Sequence, residues 1–217
     1  MILIKLWWSL IAPKNKIWYI DISYLQKISQ KLSSNNNIVV HGTWNVWHGF
    51  IQKYGLSKET YQIWRNVLDR YFDVIDEHLT AYTRKRYTNN MNRKTIAQNT
   101  IIGGDITTDL KIISSDRIFA EILAQKNISL AIIATDVDGV LDEKNNIIPT
   151  IDRDNINSIH FWSKDGDVTW SMKQKIEQLI QHNQWSSKLV RICSGYNLDN
   201  IEHIIKTGKW IGTKVLL

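Results

Sequence analysis

The strongest constraint on this 217-residue chain is an alternation that runs from one end to the other. Short apolar runs recur, each ending in a polar or glycine-bearing turn, with stretches of helical apolar spacing between them. Ile2 to Leu6 is the first run, and Trp7-Trp8-Ser9 is the turn after it. Ile38-Val39-Val40 leads into His41-Gly42-Thr43-Trp44-Asn45-Val46-Trp47-His48. Thr100-Ile101-Ile102 leads into Gly103-Gly104-Asp105, and Leu130 to Ala134 into Thr135-Asp136-Val137-Asp138-Gly139-Val140. Leu189 to Cys193 and Ile211 to Val215 close the series. Runs this short, bounded by turn residues, read as buried strands. Asp21 to Leu32, a long stretch from Ser57 to about Leu79, Arg117 to Gln125, the segment carrying Lys175 and Asn200 to Lys206 read as helices. Ser57 is the expected N-cap of the long one. Tyr82 to Thr100 is polar, basic and rich in asparagine, and is expected to form a mobile loop or a hairpin. Strands alternating with helices imply an α/β fold whose mostly parallel sheet is covered on both faces. Ligands of such sheets bind at the carboxyl ends of the strands, where every turn named above falls.

The length suits one domain over residues 1–217, with lobes of roughly 1–110 and 111–217. The net charge of +6 is partly concentrated at Arg84-Lys85-Arg86 and Arg93-Lys94. That excess suits phosphorylated ligands, and no recognisable nucleic-acid-binding motif accompanies it. Cys193 is the single cysteine, which excludes an intrachain disulfide and fits a reducing, cytoplasmic compartment. The apolar start from Met1 to Ile11 is interrupted by Lys5 and reads as a first strand rather than a signal peptide. No apolar run is long enough to span a bilayer, so no membrane partner is expected.

Several residues at the strand ends carry chemistry. Lys5 lies inside an apolar strand, where a charge is costly unless it faces a site or a partner. Lys14 and Lys175 also stand near strand ends or helix starts. Phosphoryl transfer asks for such cations around the moving group and for backbone donors around the phosphates. Asp136 and Asp138 suit orienting those lysines, binding magnesium or shaping a turn. His48 suits a hydrogen bond to a phosphate or a structural role, and Asp105 and Asp116 suit a loop or a site.

Taken in order, these stretches resemble the amino acid kinase superfamily and, within it, the isopentenyl phosphate kinases. The family strand K-x-G-G-S corresponds to Lys5-Leu6-Trp7-Trp8-Ser9, and H-G-x-G-S-F-G-H to His41 through His48. G-D-V corresponds to Gly104-Asp105-Ile106, and S-G-D to Ser114-Ser115-Asp116. T-D-V-D-G-V is matched unchanged by Thr135 to Val140. D-V-T-G-G-M with a following lysine corresponds to Asp167 to Met172 and Lys175, and I-G-T to Ile211-Gly212-Thr213.

The resemblance implies a three-layer αβα sandwich with a mostly parallel open sheet. It implies transfer of a phosphoryl group from Mg-ATP to isopentenyl phosphate, and a homodimer. Lys5 and Lys175 would stabilise the moving group, Asp136 would hold both lysines, and His48 would hold the acceptor phosphate. Lys14, positions 7 and 8 (here Trp7 and Trp8), Ser9, Asp116, Thr135, Asp138, Gly139, Asp167, Thr169 and Trp170 would form the nucleotide side. Gly42, Trp44, Trp47, Gly104 and Asp105 would join His48 on the acceptor side, and no protein metal site is implied. A phosphonate acceptor is the nearest alternative. The stretch between His48 and Gly103 is shorter than in the family, in a region that helps to form the acceptor pocket.

Trp7, Trp8, Trp44, Trp47 and Trp170 fall on glycines of the family pattern. Such glycines let backbone N–H groups approach phosphate, often at positive φ, where an indole is strained and bulky. The chain has 10 glycines and 10 tryptophans, against roughly 15 glycines for ordinary usage. Three readings are open: a degenerate relative that binds without catalysis, ordinary core tryptophans, or glycine codons of the TGA type read as tryptophan. Trp64, on the apolar face of a helix, belongs to the ordinary kind.

Overall fold

The computed structural model describes residues 1–12, 19–32, 36–43, 51, 53–87, 96–124, 127–161, 172–183 and 188–217. The strands are β1 (Ile2–Leu6), β2 (Asn37–His41), β3 (Thr83–Arg84), β4 (Thr100–Gly103), β5 (Asp105–Ile106), β6 (Ile112–Ile113), β7 (Leu130–Thr135), β8 (Thr150–Ile151), β9 (Leu189–Ser194) and β10 (Thr213–Leu216). The helices are α1 (Trp8–Ile11), α2 (Ile22–Leu32), α3 (Lys58–His78), α4 (Ser115–Leu123), α5 (Met172–His182) and α6 (Leu198–Thr207).

One eight-stranded sheet runs in the order β3-β4-β2-β1-β7-β9-β10-β8, and β5 and β6 form a separate antiparallel pair. From β3 to β9 all neighbours are parallel, and β10 alone turns antiparallel on β9. The expected α/β architecture with a mostly parallel sheet is therefore present. β3 pairs with β4 in parallel, so the two are not arms of a hairpin. The final strand begins at Thr213 rather than Ile211, because Gly212 adopts φ 139° and turns the chain into it.

Two apolar layers follow from the period-two alternation of the strands. Leu3, Ile38, Val40, Ile102, Ala131 and Ile133 pack with Ile118 and Phe119 of α4 and Ile176 and Leu179 of α5. Ile4, Val39, Ile101 and Ile132 point the other way, onto Leu25 and Ile28 of α2, Trp64, Leu68 and Phe72 of α3, and Ile201 of α6. Helix, sheet and helix thus make three layers. α3 starts as the sequence predicts. The Ser57 side chain accepts from the Thr60 N–H, and the Thr60 hydroxyl accepts from the Ser57 N–H, which closes a capping box. Trp64 of this helix is fully buried, and its indole N–H donates to the Gly55 carbonyl at 3.2 Å.

Two adjacent strands at the centre send the chain in opposite directions. From β1 it proceeds to β2 on one side, and from β7 to β9 on the other. That reversal opens a crevice at the carboxyl ends of β1 and β7, the usual ligand position in open α/β sheets. Gly103 ends β4 on the α3 face, where a Cβ would lie 2.5 Å from the Phe72 ring and 2.7 Å from the His41 imidazole. Gly103→Ala is expected to destabilise the protein by about 1–3 kcal/mol through overpacking, measured as a lower midpoint in urea denaturation.

Candidate active site at the carboxyl ends of the central strands

Lys5 occupies the last turnward position of β1 that faces α4 and α5, since it shares a face with Leu3. It is 2% exposed. The charge is matched: its ammonium donates to the carboxylate of Asp116, in the first turn of α4. Ser114 caps that helix by accepting from the Arg117 N–H at 3.2 Å. Lys175 of α5 bears on the same carboxylate. Burial alone would raise the Asp116 carboxyl. The two ammonium groups and the hydrogen bonds from Lys5 and the backbone outweigh it and hold the carboxyl below its ordinary value. Two strand-end and helix-borne cations and one carboxylate are thus gathered above the switch point between β1 and β7.

The third member of the group is Trp7. Its N–H donates to the Ala134 carbonyl at 2.9 Å, which extends the β1–β7 pairing by one residue. Its φ of −66° and ψ of 146° are ordinary extended values, so the indole here is not strained. Trp8 opens α1 in helical conformation and is buried. Among the described residues, positive φ outside glycine occurs only at Asn99, Leu110 and Asn145. The expected backbone strain at positions 7 and 8 is therefore absent. The Trp7 ring lies 3.9 Å from the Lys175 ammonium and 5.7 Å from that of Lys5, covering both cations with its π face.

The remaining candidates fall around this centre. Ser9 is buried, and its hydroxyl has no hydrogen-bond partner among the described residues. Thr135 ends β7, and its hydroxyl donates to Asp136 at 3.0 Å. Asp136, the expected holder of the two lysines, follows at the end of β7, and the ion pair that Lys5 forms among the described residues is with Asp116. The turn after β7 meets the start of β10. The Val140 N–H donates to the Thr213 hydroxyl at 2.8 Å, and Asp138 and Gly139 lie against Gly212 and Thr213. The motifs at 135–140 and 211–213, far apart in sequence, are thus in contact.

Of the residues expected on the acceptor side, Gly42 follows β2, and Gly104 and Asp105 follow β4. The Asp105 carboxylate is engaged by Arg65 Nη1 at 2.6 Å and by the Ile106 N–H at 2.8 Å. Lys14, Trp44, Trp47, His48, Asp167, Thr169 and Trp170 lie outside the described residues. Sequence reasoning missed the pairing of Lys5 with Asp116. A lysine inside a buried strand demands a carboxylate, but the spacing of 111 residues gives no local signal of which one. It missed the arginine cluster of residues 65, 84 and 86 for the same reason.

The sequence signature of the amino acid kinase family matches residues 69–194, more than half of the chain. The chain belongs to the amino acid kinase family. An acetylglutamate kinase of Shewanella loihica is 31% identical over 85 residues, which cover 39% of this chain and 31% of that protein. The match thus spans about a third of that relative's length. The fold aligns with isopentenyl phosphate kinase of T. acidophilum in its product complex at TM-score 0.75 and 19% identity, over 99% of both chains. It also aligns with UMP kinase from Bacillus anthracis at TM-score 0.67 and 15% identity, over 99% of this chain and 95% of the other.

Removing the carboxylate of the pair isolates a buried charge. Asp116→Leu is expected to cost roughly 3–5 kcal/mol in urea denaturation, and Lys5→Met in the same chain to recover most of it. The pH dependence has a defined sign. A depressed native carboxyl contributes stability that is fully present above its unfolded value of about 4 and is lost as pH falls through the lower native value. Asp116→Asn should flatten that acid-side loss in denaturation midpoints measured from neutral to acidic pH.

Proposed function

We propose that this chain is an ATP-dependent kinase for a small acceptor that already carries a phosphate, with isopentenyl phosphate as the preferred candidate. The observation that carries the reading is the buried Lys5, paired with Asp116 beside Lys175 at the carboxyl ends of β1 and β7. Two fixed ammonium groups in a site of low water content suit the negative charge that spreads over a moving phosphoryl group. The reaction moves the γ-phosphoryl group of ATP onto a phosphate oxygen of the acceptor and leaves ADP. Lys5 and Lys175 stabilise the charge, and Asp116 positions them. Ser9, whose buried hydroxyl has no partner among the described residues, adds a donor suited to a phosphate oxygen.

Thr135, Asp138 and Gly139, joined to Gly212 and Thr213, supply the nucleotide side together with Lys14, Asp136, Asp167 and Thr169. His48 takes the acceptor phosphate. Among the described residues no cluster of three or more His, Cys, Asp or Glu could hold a metal. Mg2+ would enter with the phosphates of ATP, which supply ligands to it in kinase sites. No helix among the described residues is long and apolar enough to cross a membrane.

A second reading has its own observation. The Trp7 ring lies against both lysines, where a phosphoryl group would approach. If tryptophan stands there in the cell, the chain is a kinase-fold binding protein without turnover. The codons separate the cases, since TGG encodes tryptophan in every common code and TGA is read as glycine in some.

Acceptor-dependent release of ADP tests the function directly, in the chain as printed and in a variant with glycine at 7, 8, 44, 47 and 170. The glycine variant is expected to turn over isopentenyl phosphate. Lys5→Ala or His48→Ala in it should lower the rate by about 10²-fold or more, the scale of losing one charge-stabilising donor. Failure of the glycine variant to release ADP with any phosphate or phosphonate acceptor would overturn the kinase reading.

A further inference from the structure

His41 ends β2 on the face of the sheet opposite Lys5 and is fully buried, at 0% exposure. Its Nε2 lies 2.6 Å from Nη1 of Arg84. A guanidinium has donors and no acceptor, so Nε2 must accept and carry the lone pair. The ring proton then sits on Nδ1, which donates to the Gly42 carbonyl at 3.2 Å. Arg84 is fixed in turn. Its Nε lies 3.0 Å from both carboxylate oxygens of Asp76 on α3, and its guanidinium stacks over the Phe72 ring at 4.4 Å. Phe72 meets the imidazole edge to face, with centroids 5.4 Å apart.

The Gly42 peptide is therefore held at both ends. Its N–H donates to the Leu6 carbonyl of β1 at 3.3 Å, and its carbonyl is tied to the imidazole. Because a trans peptide is planar, fixing that carbonyl also fixes the Thr43 N–H, which points the opposite way. Gly42 stands on the acceptor side in the reading above.

We infer that Arg84 is a positioning residue for the Gly42–Thr43 peptide, acting through His41, whose Nδ1–H tautomer it enforces and whose bond to the Gly42 carbonyl sets the plane of that peptide. This rests on the kinase reading above for the acceptor-side role of Gly42, though not for the hydrogen-bond chain itself. A side chain on the two-residue strand β3, remote from the lysine site and on the other face of the sheet, thereby tunes affinity for the acceptor and not for ATP.

The test has a spectroscopic arm and a binding arm. Imidazole 15N shifts in the histidine-labelled chain should report His41 as the Nδ1–H form, and Arg84→Met should shift it toward the Nε2–H form. Calorimetric titration of the variant with glycine at 7, 8, 44, 47 and 170 should show Arg84→Met in it weakening isopentenyl phosphate about tenfold, equivalent to about 1.4 kcal/mol, with affinity for ATP little changed. Tyr82→Phe is the control for general loosening, since the Tyr82 hydroxyl accepts from Asn37 Nδ2 at 3.1 Å at the other end of β2. It should leave the ratio of the two affinities unaltered. An Nε2–H tautomer in the unaltered chain overturns the inference whatever the ligands do. So does a parallel loss of both affinities in Arg84→Met, or an equal change of their ratio in Tyr82→Phe. A glycine variant with the expected tautomer that binds neither ligand overturns the kinase reading, and with it the role given to the Gly42–Thr43 peptide.

Discussion

One buried ammonium group shapes the centre of this molecule. A lysine in the middle strand of a sheet covered on both faces carries a desolvation cost of several kcal/mol unless it is matched. The match is supplied by the first turn of α4, which must therefore dock with its N-terminal end over β1. The same requirement draws in α5, whose Lys175 shares the carboxylate. Both helices belong to one layer, and both are placed by apolar contacts with Leu3, Ala131 and Ile133 of the strands beneath. Packing and electrostatics thus agree on one arrangement. The charged group is tolerated because it stands at the strand end, next to the crevice between β1 and β7.

Much of the architecture could be read from the chain because it rests on local patterns. Apolar runs of strand length, the Ser57 cap and the helical spacing of α3 each depend on neighbours within a few residues. Parallel pairing follows from the helices that intervene. What escaped was non-local. No spacing links Lys5 with Asp116, or Arg84 with His41, and the short β3 has too few residues to announce its partner. The turn chemistry of Gly212, with φ at 139°, shortened the last strand for a reason visible only once Ile192 and Asp138 close around it. For the candidate site, the residues after β1, β2, β4 and β7 were legible by position. The roles among them were not, because several aspartates near strand ends look alike in sequence until a lysine selects one.

The tryptophans illustrate how differently one residue type behaves. Trp64 fills the α3 layer and satisfies its N–H on a backbone carbonyl, so it contributes burial without leaving a polar group unpaired. Trp210 presents its ring to Arg191 at 4.5 Å on the far side of the sheet. Trp7 instead spends its aromatic face on two ammonium groups. Its backbone is relaxed, so the fold itself accepts the side chain. Any conflict at that position concerns what can share the space in front of the lysines, and fold and chemistry can be separated there.

Both margins of the main sheet are strands of two residues, β3 and β8. A longer margin would offer a row of unpaired N–H and C=O groups on which another chain could build a strand. Here the template is short, and at β3 it is followed at once by the cation of Lys85. Continuation of the sheet from one copy into the next is thereby disfavoured, as is the edge-to-edge stacking that seeds fibrils.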